Sequence, residues 1–141
     1  MIQALISFGV AIAVCGLAIR FGDKPAQRVG MITLGGWIVS LIVVRHSTRF
    51  ADAGLMLVDG VVAVLFVWVS LSSRRLWTVV VAAFQMLGVA SHLATVIDHR
   101  VTINTYRVSL AVWSYGILVV LAVAVWRCWR EQRRIRDEGA L

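Results

Sequence analysis

Charge is what this sequence most conspicuously lacks. Only 15% of its 141 residues are charged, and the acidic residues number seven. A soluble domain of this size carries about 25% charged residues, whereas 60% of this chain is hydrophobic. The few charges lie between long apolar runs, a pattern typical of segments surrounded by lipid. The composition therefore excludes an ordinary soluble domain and predicts an integral membrane protein.

Cysteine and proline are also scarce, with two cysteines and one proline in the chain. Cys15 and Cys128 form no CxxC pair, and neither has a histidine at the spacing of a metal ligand. No metal site and no disulfide are therefore expected, and Cys15 is interpreted as a small apolar packing residue. The proline belongs to the run Gly22-Asp23-Lys24-Pro25, which predicts a tight turn.

The segments outside the apolar runs are short and carry no recognisable domain. Met1-Ile2-Gln3 lacks the positive charge of a secretory signal, so we expect the first apolar segment to remain as a membrane anchor. The basic residues flank apolar segments instead of forming the basic face of a soluble domain, which argues against nucleic acid as a partner. The expected partners are membrane lipids and other membrane subunits or further copies of this chain.

Five apolar stretches predict an all-α fold, a polytopic transmembrane bundle of five spans. About 20 helical residues cross the ~30 Å hydrocarbon core of a bilayer. The second stretch has 16 residues and is slightly short, but Arg28 and Arg45 can snorkel to cover the difference. The bundle is expected to occupy residues 1–128, followed by a basic tail at 129–141. Its predicted spans are residues 2–19, 29–44, 53–73, 78–97 and 108–125.

The distribution of lysine and arginine predicts the orientation of these spans. With five crossings, ten of the 14 basic residues fall on one side of the membrane. Without the second crossing each side would carry seven, and no positive-inside asymmetry would remain. The N-terminus is therefore expected outside and the C-terminus in the cytoplasm. The tail arginines expected near anionic lipid head groups are Arg127, Arg130, Arg133, Arg134 and Arg136.

Aromatic and small residues agree with a bundle that crosses a membrane. Aromatic side chains mark both predicted interfaces, as an aromatic belt requires: Trp77, Trp126 and Trp129 inside, Phe50 and Tyr106 outside. Small residues let helix backbones approach each other in lipid. They lie at Gly9, Ala13 and Gly16 on the first span and at Gly35 and Gly36 on the second. Whether they contact this chain or a partner is left open by the sequence.

Polar residues inside the spans predict a layer near the outer surface. Asp59 is the only acidic residue well inside an apolar run, where a carboxylate costs about 2.5–3.5 kcal/mol and needs a partner. His92 lies at the same depth, roughly 10 Å below the outer boundary. Gln85 shares the polar face of the fourth span, which repeats at steps of three or four residues. The remaining residues expected in this layer are Ser40, Ser114 and Tyr115, with Ser7 nearby.

Two interpretations of this layer remain open. The polar groups can satisfy one another and fix the register of the bundle. Alternatively, Asp59 and His92 form a proton-carrying or ligand-binding pair, because imidazole changes charge near neutral pH. A hydrolase built from Ser114, His92 and Asp59 is disfavoured, since no nucleophile elbow accompanies them. Haem bound through His92 would lack a second ligand at matching depth. A surface metal site could be formed by His46, Asp98 and His99, but we expect these residues simply to be solvated.

Three short runs in the last two spans carry a resemblance to known proteins. They are Phe84-Gln85-Met86-Leu87, Ser91-His92-Leu93-Ala94 and Trp113-Ser114-Tyr115. In these runs the chain resembles a group of small polytopic inner-membrane proteins of alphaproteobacteria, over about the last 90 residues. The resemblance implies a bacterial inner-membrane location. It implies no activity, substrate or cofactor.

The sequence alone favours a non-catalytic function. The small size and the absence of a catalytic signature predict an accessory or scaffolding subunit of a larger membrane complex, for example a respiratory or photosynthetic one. The alternative is a small oligomeric channel or a proton/solute transporter that uses the Asp59–His92 layer. No cofactor is expected, with haem at His92 as the remaining alternative.

Overall fold

The computed structural model of the chain describes residues 2–46, 51–97 and 103–138, with side chains at 7–45, 53–97, 105–106 and 108–138. Within these ranges the chain is all-helical, with five α-helices and no strand. The expected all-α fold class is thereby confirmed. The helices are α1 (Ile2–Phe21), α2 (Lys24–His46), α3 (Ala51–Ser73), α4 (Leu76–Ile97) and α5 (Ile103–Glu138).

Four of these helices, α2 to α5, are long and apolar enough to cross a membrane. In α1, the part with described side chains is the shorter apolar helix Ser7–Phe21. The outer surface of the bundle is apolar as well. Leu71 and Val64, for example, expose 76% and 68% of their surface, and a soluble monomer rarely exposes apolar patches on this scale. The surface of the bundle is therefore that of a membrane protein.

The second helix is longer than the apolar run that predicted it. It begins at Lys24 and contains 23 residues, enough for the ~30 Å hydrocarbon core. Pro25 lies in its first turn, where a missing N–H leaves no helical hydrogen bond unmade. The Asp23 carboxylate caps the helix by accepting a hydrogen bond from the N–H of Ala26 at 3.2 Å. The turn predicted at residues 22–25 is present but shorter than predicted, because only Gly22 and Asp23 lie between the helices.

The two described linkers lie at the same end of the bundle. Gly22 fits the first linker because a Cβ there would lie 2.4 Å from the carbonyl oxygen of Ala18. Arg74 in the second linker has a φ of 52°, a left-handed conformation that ends α3 and turns the chain. An ion pair joins the linkers, with Asp23 Oδ2 and Arg75 Nη2 at 3.4 Å.

The helices run alternately up and down in a closed arrangement. Each helix packs against the next in the chain, α1 also packs against α5, and α2 touches α5. No connection is longer than five residues, which reaches at most ~18 Å, whereas a 22-residue helix such as α4 is ~33 Å long. A connection of that length cannot return along a helix, so successive helices are antiparallel.

The apolar core fills the half of the bundle nearest the two described linkers. Phe66 and Val69 of α3, Val81 of α4 and Leu121 of α5 are essentially fully buried there. Cys15 of α1 is also fully buried in this core and is a free thiol, in agreement with its interpretation as a packing residue. The other half of the bundle contains the polar side chains described below.

Two groups of small residues on α1 have different surroundings. Cys15 and Ala18 meet α2, where a Cβ at Gly30 would lie 3.2 Å from the Cys15 carbonyl oxygen and from the Ala18 methyl. Gly9 and Gly16 have open space around them, and Ala13 between them is exposed. We call Gly9, Ala13 and Gly16 the outer stripe of α1, since Ala13 is exposed and the described residues leave open space beside both glycines.

The last helix continues past the bundle. It contains 36 residues, about 54 Å at 1.5 Å per residue, and is exposed from Glu131 to Glu138. Arginines stack on tryptophans one turn earlier, with the guanidinium of Arg130 at 5.0 Å from the Trp126 ring and that of Arg133 at 3.9 Å from the Trp129 ring. Arg134 pairs with Glu138 at 3.0 Å. Contact of these arginines with lipid head groups stays a prediction.

Two adjacent glycines of α2 test the packing between α2 and α3. A Cβ at Gly36 would lie 2.9 Å from Val62 Cγ2, whereas one at Gly35 would meet nothing within 4 Å. We expect Gly36→Leu to lower the free energy of unfolding by ~1–3 kcal/mol, the usual cost of overpacking. Gly35→Leu is expected to leave it nearly unchanged. Unfolding of the purified variants in mixed detergent–SDS micelles measures both, and equal effects would contradict this packing.

Candidate functional site

The carboxylate of Asp59 on α3 forms the centre of a hydrogen-bonded cluster inside the bundle. Its Oδ2 lies 2.8 Å from Nε2 of His92, and its Oδ1 accepts a hydrogen bond from Nε2 of Gln85 at 3.0 Å. Gln85 and His92 lie seven residues apart on α4, which puts both on the same face, two turns from each other. The structure thus brings together the acid, the imidazole and the amide that the sequence placed in one layer.

Tyr106 of α5 completes the cluster from the other side of the imidazole ring. Its hydroxyl lies 2.7 Å from Nδ1 of His92, and the two rings meet edge to face with centroids 5.4 Å apart. Both ring nitrogens of His92 are therefore hydrogen-bonded, one to α3 and one to α5. We call Asp59, Gln85, His92 and Tyr106 the polar cluster.

Tyr106 was not among the residues predicted in the layer, because its place beside a predicted span boundary suggested an interfacial aromatic residue. A signal was present nevertheless. Tyr106, Leu110, Trp113 and Ile117 recur at steps of three or four residues, the spacing of one helix face. The last three line the cavity described below. A tyrosine at the end of such a face is expected to point into the bundle.

The hydrogen bonds of the cluster accommodate two protonation states of His92. In a neutral ring, the Tyr106 hydroxyl donates to Nδ1 and Nε2–H donates to the carboxylate. In a protonated ring, Nδ1–H donates to the Tyr106 oxygen and Nε2–H still donates to Asp59. A proton is therefore gained or lost at His92 without leaving any of these groups unpaired. The ring is shielded, since the side chain of His92 is only 3% exposed.

A cavity of about 250 Å³ lies beside the cluster, between α2, α3, α4 and α5. We call it the Asp59 cavity, because the Asp59 side chain lines it and remains 31% exposed despite its two partners. Aromatic rings from each of the four helices line it as well. These rings, named here the aromatic wall, are Trp37, Phe66, Phe84 and Trp113.

Contacts outside the cavity hold parts of the aromatic wall in place. The indole N–H of Trp113 donates to Ser91 Oγ at 3.0 Å, and the rings of Trp113 and Phe84 lie 6.2 Å apart. Gly116 makes room for Phe84, since a Cβ there would lie 3.0 Å from the phenyl ring. Trp37 stacks on Phe8 of α1 with centroids 6.0 Å apart. The cavity is thus bounded by side chains with fixed positions.

Of the other residues predicted in the layer, two reach the cavity and one does not. Ser40 and Ser114 line it, and neither side-chain hydroxyl forms a hydrogen bond with another described residue. Tyr115 instead hydrogen-bonds Ser7, which joins α5 to α1. Adjacent residues of an α-helix point ~100° apart, so Ser114 faces the cavity while Tyr115 turns away. The structure therefore divides the residues predicted in the layer into two hydrogen-bonded groups, one around Asp59 and one formed by Tyr115 and Ser7.

The geometry also bears on the alternatives that the sequence left open. The ring nitrogens of His92 bind Asp59 and Tyr106, and no His92–Ser114 hydrogen bond is present, so the Ser-His-Asp triad is not assembled. Haem ligation by His92 would require one of those bonds to break. No group of three metal-ligating side chains occurs among the residues with described positions. The surface site at His46, Asp98 and His99 lies outside the described side chains.

A matched pair of tyrosine variants tests the polar cluster. Tyr106→Phe is expected to shift the ¹⁵N resonance of His92 Nδ1, because the ring loses a hydroxyl partner, and to cost about 0.6 kcal/mol of stability, the average for intramembrane hydrogen bonds. Tyr115→Phe removes a hydroxyl from the same helix, outside the cluster. It is expected to leave the His92 resonances unchanged in NMR spectra of ¹⁵N-histidine-labelled protein. Equal perturbation by both variants would show that Tyr106 does not bind His92.

Comparisons with known proteins add no assignment to this geometry. The chain matches no protein-family model, no curated protein and no solved structure. What the protein does has to be inferred from the polar cluster and the Asp59 cavity.

Proposed function

We propose that the chain crosses the membrane five times, with the N-terminus outside and the C-terminus in the cytoplasm. The antiparallel helices support an odd number of crossings, because α1 packs beside α5 and belongs to the same closed bundle. The Asp23–Arg75 ion pair groups two linkers at one end, and that end together with the C-terminal part of α5 carries ten of the 14 basic residues. The resemblance noted above favours the inner membrane of a bacterium.

Reporter fusions test this topology. A green fluorescent protein fused after Leu141 is expected to fluoresce, because it folds in the cytoplasm, and alkaline phosphatase at the same position is expected to be inactive. Alkaline phosphatase inserted at residues 47–50 is expected to be active, since this connection lies on the outside. The opposite pattern at both positions would reverse the orientation.

We propose further that the protein is a transporter that carries protons, alone or with a small solute, through the polar cluster. The observation that carries this proposal is the Asp59 carboxylate, which lines a cavity and stays 31% exposed. A polar network that only fixes helix register has no need for such a cavity. Intramembrane ionisable residues that border cavities are typical of ion and proton pathways.

Residues of the polar cluster that are in hydrogen-bond contact can pass a proton from one to the next. A proton that arrives at the Tyr106 side binds Nδ1 of His92, and the proton on Nε2 then passes to Asp59 Oδ2. The carboxyl group becomes neutral and faces the cavity, and the ring is left with its proton on Nδ1. Each step follows one of the two short contacts, 2.7 Å at Tyr106 and 2.8 Å at Asp59, within the range of proton-transferring hydrogen bonds.

The apolar core favours a transporter over an open channel. Val69, Val81 and Leu121 are completely buried on the cytoplasmic side of the Asp59 cavity in the proposed topology, and Phe66 borders it. Water has no polar partners among these side chains, so a proton path does not continue through them. Passage to the cytoplasm therefore requires a second conformation in which the helices separate at this level.

Proton flux into liposomes tests the transport proposal. The purified wild-type protein is expected to acidify vesicles that contain a pH-sensitive dye when a valinomycin-induced potential, negative inside, is applied. Asp59→Asn and His92→Gln are expected to lower the initial rate at least tenfold, because each removes a proton acceptor. Asp23→Asn is the matched control, because it makes the same carboxylate-to-amide change at the linker between α1 and α2. Asparagine still caps the helix, so the rate is expected to stay near that of wild type.

A second function is favoured by the outer stripe of α1. Gly9, Ala13 and Gly16 let another helix approach closely, and no described part of the chain occupies that position. This supports an accessory subunit of a larger membrane complex. If wild type acidifies the vesicles no faster than Asp59→Asn, and the protein purified from its native membrane contains other subunits, this second function replaces transport.

A further inference from the structure

The Asp59 cavity combines a carboxylate with aromatic rings, and the only basic side chain in its described lining is the imidazole of His92. Its lining contains one acidic side chain, Asp59, and no lysine or arginine. The negative faces of tryptophan and phenylalanine rings attract cations within ~6 Å, and the attraction grows where water is excluded. An anion would meet a carboxylate of the same sign here. The lining therefore selects for positive charge.

The kind of cation follows from the donor groups. A hard metal ion such as Ca²⁺ or Mg²⁺ takes six or more oxygen ligands, and the lining offers one carboxylate and a few hydroxyls among apolar and aromatic surfaces. Organic ammonium ions suit such a lining, because their carbon atoms pack on rings while the charge meets the carboxylate. The volume of about 250 Å³ lies just below the range of ~300–1,000 Å³ for drug-sized ligands, which favours a small ion.

We infer that the Asp59 cavity binds a small organic ammonium ion that competes with the proton of His92 for the charge of Asp59. This inference rests on the proposed transport function and names its solute. Ser40 and Ser114 line the same cavity and offer hydroxyl partners to a polar substituent on the ion.

Competition arises because one carboxylate faces two cations. The titratable groups directed at Asp59 and the cavity are few: α3 contributes Asp59, α4 contributes His92, α5 contributes Tyr106, and α2 contributes only the hydroxyls of Thr33 and Ser40. A neutral His92 leaves the charge of Asp59 unbalanced, and an ammonium ion in the cavity balances it. A protonated His92 already does so, and then repels a second positive charge in a poorly screened site.

The consequence is an exchange of one proton for one ammonium ion. When the ion enters, the proton on His92 leaves, and the ring returns to its neutral form with both hydrogen bonds intact. When a proton returns, the ion loses its counter-charge and is released. Such an exchange would let a proton gradient drive the ion across the membrane in the opposite direction.

Choline and its uncharged isostere 3,3-dimethyl-1-butanol test the inference on the full-length protein in lipid nanodiscs. Isothermal titration calorimetry at pH 8.5 is expected to show choline binding at least tenfold tighter than the isostere, because the two molecules differ only in charge. At pH 5.5 choline is expected to bind at least tenfold more weakly. At intermediate pH, titrations in buffers of different ionisation enthalpy are expected to show proton release on binding.

Variants identify the groups responsible. Asp59→Asn is expected to weaken choline binding at least tenfold, and Asp23→Asn is expected to have no effect. His92→Gln is expected to bind choline with the same affinity at pH 5.5 and at pH 8.5, since no proton on His92 then competes. Equal binding of choline and isostere, unchanged binding in Asp59→Asn, or no choline binding at all would each overturn the inference.

The two proposals fail in distinguishable ways. Proton flux that depends on Asp59, with no choline binding, would retain the transport function and remove the ammonium ion as its solute. Choline binding that depends on Asp59, with no proton flux in liposomes even when choline is supplied on one side of the membrane, would retain the cation site and overturn transport.

Discussion

A carboxylate inside an apolar bundle needs partners, and this requirement organises the outer half of the protein. Asp59 would cost several kilocalories per mole if it faced lipid alone. Its hydrogen bonds to Gln85 and His92 fix α3 against α4, and the second ring nitrogen of His92 extends the connection to Tyr106 on α5. A shift of any of the three helices by one turn, ~5.4 Å, would break these contacts. The position of one acid therefore sets the register of three helices.

The other half of the bundle is held by a different interaction. There, side chains without polar groups interlock, and Cys15 and Ala18 let α1 approach Gly30 of α2 closely. In lipid, such packing is stabilised by van der Waals contact, because moving an apolar side chain from lipid to protein gains no hydrophobic free energy. The bundle thus has a tightly packed apolar half and a half with a polar cluster and a cavity.

Much of the fold could be predicted from the sequence, because apolar length and charge position are local properties. The helical class followed from the apolar runs, and the meeting of Asp59 with His92 followed from their depths along antiparallel helices. The start of α2 was missed because Lys24, Pro25 and Arg28 interrupt the apolar run, although each fits the first turns of a helix at a membrane boundary. Tyr106 and the Asp59 cavity were missed for another reason. The position of Tyr106 depends on the rotation of α5 about its axis, and the cavity depends on the space left between four helices. Neither can be predicted from the sequence of a single segment.

The cavity and the cluster place opposite demands on His92. Stability favours a permanent pair with Asp59, because the hydrogen bond between the ring and the carboxylate satisfies both groups. Exchange requires that this pair be given up, and the loss has to be offset by another cation at the same carboxylate. Part of the Asp59 side chain, 31% of its surface, stays exposed to the cavity, where another cation can reach it. A cation bound there replaces the charge of His92 without moving Asp59 away from Gln85. If its partners buried the Asp59 carboxylate completely, the register of the helices would be equally well fixed. No cation could then exchange with the proton of His92.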